Sequence, residues 1–537
     1  MGKVYFIGID AGDFKYIHPL IKEGALPNFK KIIDGGVEGV LLSTHPPLTP
    51  VAWTTLLSGV DKTIHKIFSW TKFTPQNKLV PINSRDIKIP RIWDILNYYN
   101  TESVIINFPL TYPATEIKGL MISGFDSPTF DDKAIAGNSG IIKQFMDRFK
   151  DYEISVEYKE IYKGKDHFKE KWLDDTIEKT RVLKYLKEQD NPEFIGLVYM
   201  VIDHLNHYFS VEKEEHTAIL NWAYKILDKQ LGKILELLKK DDTLFICSDH
   251  GSIYIKKNFY LNKWLMENGY LYFKDKMFPR AIYKNAYKKI TAKCKLFKIF
   301  SQRLFIGITR LLFKLTPVFL KRKIIRSIRG KTVLGYSYDC IDFEKTLAFT
   351  KESYGQLFIN KLIVKESSEK VKIIKEILEK LKYDSVNHLV PEFKVLKDSK
   401  VIMNNENEPD IELKLLDEEI YFNTFNFSSN SNFIEKNSQS YKGDHRMEGI
   451  FIAFGDKIHS GYKLKEVLMP DIVPTVLTKL NLKIPSYLKG KILLEIFTED
   501  LKPEFLTVSS GEINLENSKK DFNLEETKKK LENLGYL

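Results

Sequence analysis

Cysteine is scarce in this chain: there are three in 537 residues, Cys247, Cys294 and Cys340. That number and scatter exclude a disulfide framework and a thiolate metal site, and they fit a reducing compartment. Long uncharged runs are also missing, and no stretch is long enough to span a bilayer. The first residues, Met1 to Asp10, lack the apolar core and small-residue cleavage site of a secretory leader, so a cytoplasmic location is expected. Acidic residues are absent from one segment. Between Lys276 and Lys331 there are 17 Lys and Arg and no Asp or Glu. The formal net charge is +11, so the rest of the chain is net acidic. The basic character therefore belongs to one insert, and no nucleic-acid motif accompanies it. No internal repeat is present.

What the chain does have is an alternation of strands and helices. Residues 3–9 are rich in β-branched and aromatic side chains and read as a buried strand ending at Asp10. A helix through Pro27 to Ile33 follows, closed by Gly35 and Gly36. Ser103 to Ile106, Phe194 to Met200, Leu244 to Cys247 and Gly449 to Gly455 read as further apolar strands, and helical periodicity covers roughly 168–188 and 213–239. Strands that are apolar throughout predict an α/β core with a largely parallel sheet. Its ligand residues should gather at the carboxyl ends of the strands. The expected segments are 1–270 and 339–500 for the core, 271–338 for a basic helical insert or cap, and 501–537 for a tail helix. Two uses suit the insert. It is a cap with a solvated basic face turned partly to an anionic substrate, or an amphipathic surface (276–331) lying peripherally on anionic lipid at the inner membrane face.

The stretch from Thr44 to Gly59 passes from an extended, proline-broken segment into an apolar helix. Thr49 suits the N-cap, with Pro50 at the first helical position. Two readings fit these residues: an ordinary cap beside a buried helix, or a nucleophile whose bound anion meets helix N–H groups from Val51 onward. Four other places put oxygen and imidazole ligands beside predicted strands. They are Asp10; Asp203 and His207, four apart on one helical face; Asp249 and His250; and His445 in Gly443-Asp444-His445-Arg446. His204, adjacent to Asp203, faces another way. Each place alone fits a turn, a cap or a surface pair. Four such places together with Thr49 are not explained by packing. Oxygen and imidazole without thiolate suit zinc, manganese or iron(II).

The order and spacing of these motifs resemble the alkaline phosphatase superfamily, in its type I phosphodiesterase/nucleotide pyrophosphatase branch. The stretch ending Thr55-Leu56-Leu57-Ser58-Gly59, the Asp203/His207 pair, Asp249-His250-Gly251, Gly443-Asp444-His445-Arg446 and Pro470-Asp471-Ile472-Val473-Pro474-Thr475 carry the likeness, as does the ending Leu534-Gly535-Tyr536-Leu537. The resemblance implies an alkaline-phosphatase-like three-layer α/β fold and two divalent cations, usually zinc. One would be held by Asp10, Asp249, His250 and the Thr49 oxygen, the other by Asp203, His207 and His445. It further implies a phosphate-ester substrate and a phosphorylated Thr49. A phosphomonoesterase on the same site, or a membrane-surface protein without turnover, is the alternative reading.

The chain departs from that branch at one point. Nucleotide pyrophosphatases usually place an Asn near the nucleophile, donating to a phosphoryl oxygen, and here Ala52 and Trp53 occupy the corresponding turn. Such a donor is worth roughly 3 kcal/mol in a transition state. Trp53, Lys66 and Asn107 are therefore expected to contact the substrate. A sulfatase is excluded because Thr49-Pro50-Val51-Ala52 offers neither the modifiable Cys or Ser nor the Arg that those enzymes need. The sequence does not specify the oligomeric state.

Overall fold

In the computed structural model the described residues are 2–74, 78–190, 192–209, 212–274, 334–335, 338–399, 407–424, 426–427, 432–437, 442–513, 515 and 523–534. The basic segment 276–331, with the membrane-surface expectation that rests on it, lies outside them, as does the end of the tail. No helix among the described residues is long and apolar enough to cross a membrane.

The chain divides into two compact units. One is Met1–Tyr254 with Gln439–Leu537, and the other is Ile255–Ser438. This differs from the segments expected above. Lys257–Phe259 pairs with Ile420–Phe422 and Ile434–Lys436, which draws residues 255–270 into the second unit with residues 339–438. Within the second unit, Ala348–Thr350, Gln356–Ile359, Ile411–Leu415 and Phe393–Asp398 form an antiparallel sheet. Lys370, on its helix Ser367–Val386, reaches Asp410 at 2.5 Å in a buried ion pair.

The first unit is an α/β fold built on a nine-stranded sheet. Its strands in chain order are β1 (Val4–Ile9), β2 (Gly36–Leu42), β3 (Ser103–Phe108), β4 (Gly119–Ser123), β5 (Ile135–Gly137), β6 (Phe194–Tyr199), β7 (Thr243–Cys247), β8 (Glu448–Phe454) and β9 (Tyr462–Leu468). They lie in the order β9-β2-β8-β7-β1-β6-β3-β4-β5. Neighbours from β7 to β4 are all parallel, whereas β8 runs against both β2 and β7. β1, β3, β4, β6 and β7 are buried on both faces, which is why they read as uninterrupted apolar runs. Helices α1 (Phe14–Lys22), α2 (Thr49–Ser58), α3 (Val201–Tyr208) and α4 (Lys213–Leu235) belong to this unit.

The sheet sets where the chemistry gathers. The carboxyl ends of β1, β6 and β7 lie side by side, with Gly8 level with both Val198 and Cys247. Asp10, Asp203 and the Asp249-His250 pair follow those three ends in the chain. Because β8 is antiparallel, its beginning lies at the same edge. The segment just before it, Gly443–Arg446, pairs with Gly251–Tyr254 as a two-stranded ribbon in which Ser252 stands opposite His445. Gly443 is required there, since a Cβ at that position would collide with the Asn206 backbone carbonyl.

Candidate metal and phosphoryl site

Thr49 is the first residue of α2, not its cap. Leu48 is the extended N-cap residue, and no side chain caps the helix. The reason is geometric: the Leu48 carbonyl accepts from the N–H groups of both Val51 (2.9 Å) and Ala52 (2.8 Å). Those two N–H groups are therefore engaged within the turn, which corrects the expectation that N–H groups from Val51 onward are open to an anion bound over Thr49. Pro50, one position later than expected, is still within the first turn, where its missing N–H matters little. The Thr49 hydroxyl instead lies 3.4 Å from His250 Nε2.

Two clusters of ligand-type residues stand at this edge. Asp10, Asp249 and His250 form one, and Asp203, His207 and His445 form the other. Within each, one ligand atom per residue lies within 4.8 Å of the others. In the first, His250 Nε2 is 3.1 Å from Asp249 Oδ2 and 3.6 Å from Asp10 Oδ1, and all three residues are fully buried. In the second, Asp203 Oδ1 is 3.2 Å from His207 Nε2 and 3.3 Å from His445 Nε2. The two groups adjoin, because the rings of His250 and His445 stack with centroids 3.6 Å apart.

The protonation pattern follows from the neighbours. His207 Nδ1 faces the Gly443 carbonyl at 3.2 Å, His445 Nδ1 the Pro47 carbonyl at 2.6 Å, and His250 Nδ1 the Gly251 carbonyl at 3.2 Å. A carbonyl only accepts, so each Nδ1 carries the hydrogen, and a ring in its neutral form turns a lone pair at Nε2 toward its cluster. His207 Nε2 and His445 Nε2 are then 2.7 Å apart with lone pairs converging beside a carboxylate. Asp10 Oδ1 and Asp249 Oδ2 are buried and accept no hydrogen bond. Converging imidazole lone pairs and unbonded buried carboxylate oxygens fit a cation in each group.

The buried charges also shift one another. Burial, followed by the neighbouring Asp249 and Asp203 carboxylates, pushes Asp10 well above the ordinary carboxylate range. Burial pushes Asp203 the same way, but His207 and His445 outweigh it and hold that carboxyl well below its usual range. His207 is raised to about 9, burial being outweighed by Asp203. Burial and the nearby His250 lower His445.

The three residues expected to contact substrate are placed as follows. Trp53 is buried, and its indole N–H donates to Asp10 Oδ2 at 2.8 Å. Asn107 is buried at the end of β3, and its amide donates to the Val198 carbonyl at 2.9 Å, so this N–H is engaged with the fold. Lys66 is an exposed, left-handed residue closing the short helix Lys62–His65. His204 packs between Trp172 and Phe125, with centroids 4.6 and 5.6 Å away.

Sequence reasoning passed over several supports. Asn206 donates to the Asp444 carbonyl at 3.0 Å and meets His216 Nε2 at 2.7 Å, tying α3 and α4 to the ribbon. Asp13 caps α1 through the Lys15 N–H and pairs with Arg446 at 3.3 Å. The Ser248 hydroxyl bridges the Gly12 carbonyl and the Ile450 N–H. These side chains adjoin the proposed ligand motifs in the sequence, but apart from the Lys15 N–H their partners are 10 to 433 residues away. The Asp471 and Thr475 pair of the later motif anchors the loop at Lys491 and Leu493.

A sequence model of type I phosphodiesterase / nucleotide pyrophosphatase matches residues 4–299. That stretch includes every ligand-type residue named above except His445. No curated protein matches the chain. Among solved structures, human ectonucleotide pyrophosphatase/phosphodiesterase 5 is 14% identical, with the match covering 93% of this chain and 100% of that chain at a TM-score of 0.49. An inactive murine form of that protein, in complex with AMP, is 13% identical over 90% of this chain and 96% of its own, at 0.48. Phosphonoacetate hydrolase from Sinorhizobium meliloti 1021 is 14% identical over 50% and 62%, at 0.36.

Proposed function

The chain belongs to the type I phosphodiesterase/nucleotide pyrophosphatase family, a family of phosphoester hydrolases, and from that premise we propose that it cleaves a phosphodiester or pyrophosphate bond through Thr49. The observation that carries this reading is the convergence of Asp10, Asp249 and His250 on one side of a threonine hydroxyl at a helix start. Asp10, Asp249, His250 and the Thr49 oxygen would hold one divalent cation, and Asp203, His207 and His445 a second. Zinc suits the donor set best, with manganese and iron(II) next. When bound, such cations supply Lewis-acid stabilisation of alkoxide and phosphoryl oxygens.

Thr49 Oγ forms the new bond to phosphorus, and the alcohol oxygen leaves opposite it. Water then breaks the phosphothreonine bond and restores the hydroxyl, so the two displacements give net retention. The Nδ1–H bonds to Gly251, Gly443 and Pro47 hold the three rings in one tautomer and orientation through both steps. Burial of Thr49 keeps the reacting oxygen in a low-dielectric setting, where fixed charges act more strongly than in water.

The test is hydrolysis of bis-p-nitrophenyl phosphate and p-nitrophenyl phosphate, with zinc and with manganese, by wild type and Thr49→Ala. A preference for the diester that disappears with Thr49→Ala supports the reading. A preference for the monoester makes the protein a phosphatase on the same residues. Thr49→Ala with wild-type turnover overturns the role of Thr49.

A further inference from the structure

We propose that Trp53 is a positioning residue for Asp10: its indole N–H fixes one carboxylate oxygen and so presents the other to the group around Thr49. The inference rests on the reading that Asp10, Asp249 and His250 hold a cation.

Trp53 follows Thr49 by four residues in α2, so the two side chains share a helix face. That face lies over the end of β1. The Trp53 ring occupies the space above Gly8, where a Cβ would collide with it, and meets Phe108 edge to face at 5.8 Å. A large ring held by a bare glycine on one side and a phenyl on the other has little freedom to turn. An indole N–H only donates, so burial obliges it to find an acceptor. It finds Asp10 Oδ2 at 2.8 Å, with both residues buried. The two oxygens of Asp10 are thereby made unequal. Oδ2 is tied to the indole, whereas Oδ1, free of hydrogen bonds, faces His250 Nε2 at 3.6 Å. A carboxylate held this way offers a cation one oxygen in a fixed direction. Phe at position 53 would keep an aromatic ring over Gly8 but leave Asp10 Oδ2 without its donor. The work therefore falls to the N–H rather than to the ring.

The experiment separates donor from ring. Trp53→Phe keeps an aromatic ring and deletes the N–H. Phe108→Leu keeps the N–H and removes an aromatic contact. Zinc release from the whole protein is followed against a chromogenic chelator, alongside thermal unfolding. Wild type should hold two equivalents. Trp53→Phe should release one of them about 10- to 100-fold more readily, the range typical for loss of a hydrogen bond to a ligand, and the other unchanged. In a His445→Ala background, which disables the second group, the single remaining equivalent should be the one loosened. Phe108→Leu should lower the melting temperature without changing zinc release. Should Trp53→Phe not fold, benzothienylalanine at position 53, with the same shape and sulfur in place of N–H, gives the same comparison. Two equivalents held by Trp53→Phe as tightly as by wild type overturn the role of Trp53 alone. Fewer than two equivalents in wild type overturn the reading of the site beneath it.

Discussion

Asp10, Asp249 and His250 follow the ends of two adjacent parallel strands, whereas Asp203 and His207 ride on a short helix and His445 on a two-stranded ribbon. The first group is closed to solvent, and the second is open at His207, whose side chain is 18% exposed. The first is assembled by the register of β1 against β7, which the hydrophobic core enforces. The second depends on hydrogen bonds between segments 238 residues apart, such as Asn206 to Asp444. Under the proposed function, the contrast divides the work. A buried group set by a sheet suits an oxygen that must not move, here that of Thr49. A partly open group suits the side from which water enters.

Four measurements break or sharpen this contrast. The largest effect is expected from Thr49→Ala, which should lower turnover roughly 1000-fold or more while leaving the melting temperature near that of wild type. If turnover falls only slightly, the first group does not serve this oxygen. Next, equilibrium dialysis of Asn206→Ala should show one zinc equivalent loosened about tenfold and the other retained, because the ribbon alone loses its tie. Loss of both together would mean that the groups are not independent.

The third measurement uses stability. Two carboxylates share the closed group, and burial with Asp249 nearby already pushes Asp10 upward. Asp249→Asn should therefore raise the melting temperature by roughly 2–4 °C in chelator and lower it in zinc, a change of sign visible by calorimetry. No such reversal is expected for His445→Ala. The smallest effect concerns pH. Burial depresses His65, which stands behind α2 and accepts the Ile67 N–H at Nδ1, to about 3. Between pH 6.5 and about 3 the unfolded chain binds a proton at this residue that the folded chain does not, so its contribution to stability is full above 6.5 and is lost as pH falls through that window. His216, behind the second group, is depressed by burial to about 4 and acts with the same sign over a narrower range. Urea titrations of His65→Gln from pH 7 to 4 should show a shallower decline than wild type.

The parts visible in the sequence are those whose pattern is local. Phe194–Tyr199 and Thr243–Cys247 announce themselves because strands buried on both faces need no polar alternation. β2 carries Gly36, Glu38 and Gly39 and hides its strand character. β9 is an edge strand whose Lys463, Lys465 and Glu466 look like loop. The residues proposed as ligands stand out because acids and imidazoles beside apolar strands are chemically conspicuous. The roles of Trp53 and Asn107 do not, since whether a polar atom faces a substrate or a neighbouring strand is decided by contacts to residues far along the chain. The start of α2 was misplaced by one residue for a related reason: proline is tolerated throughout a first turn and does not say which residue before it is the cap.

The strand order also carries a consequence for how the protein comes into being. The first 250 residues contain β7, β1, β6, β3, β4 and β5, which are contiguous in the sheet, together with Asp10, Asp249 and His250. β2 then still lacks both of its neighbours, because β8 and β9 are translated only after all of Ile255–Ser438. Thr49 is tethered to β2, and His445 emerges immediately ahead of β8. A chain ending before β8 therefore leaves β2 without a neighbour and lacks His445, and so carries six contiguous strands of the nine without the full constellation proposed to turn over an ester.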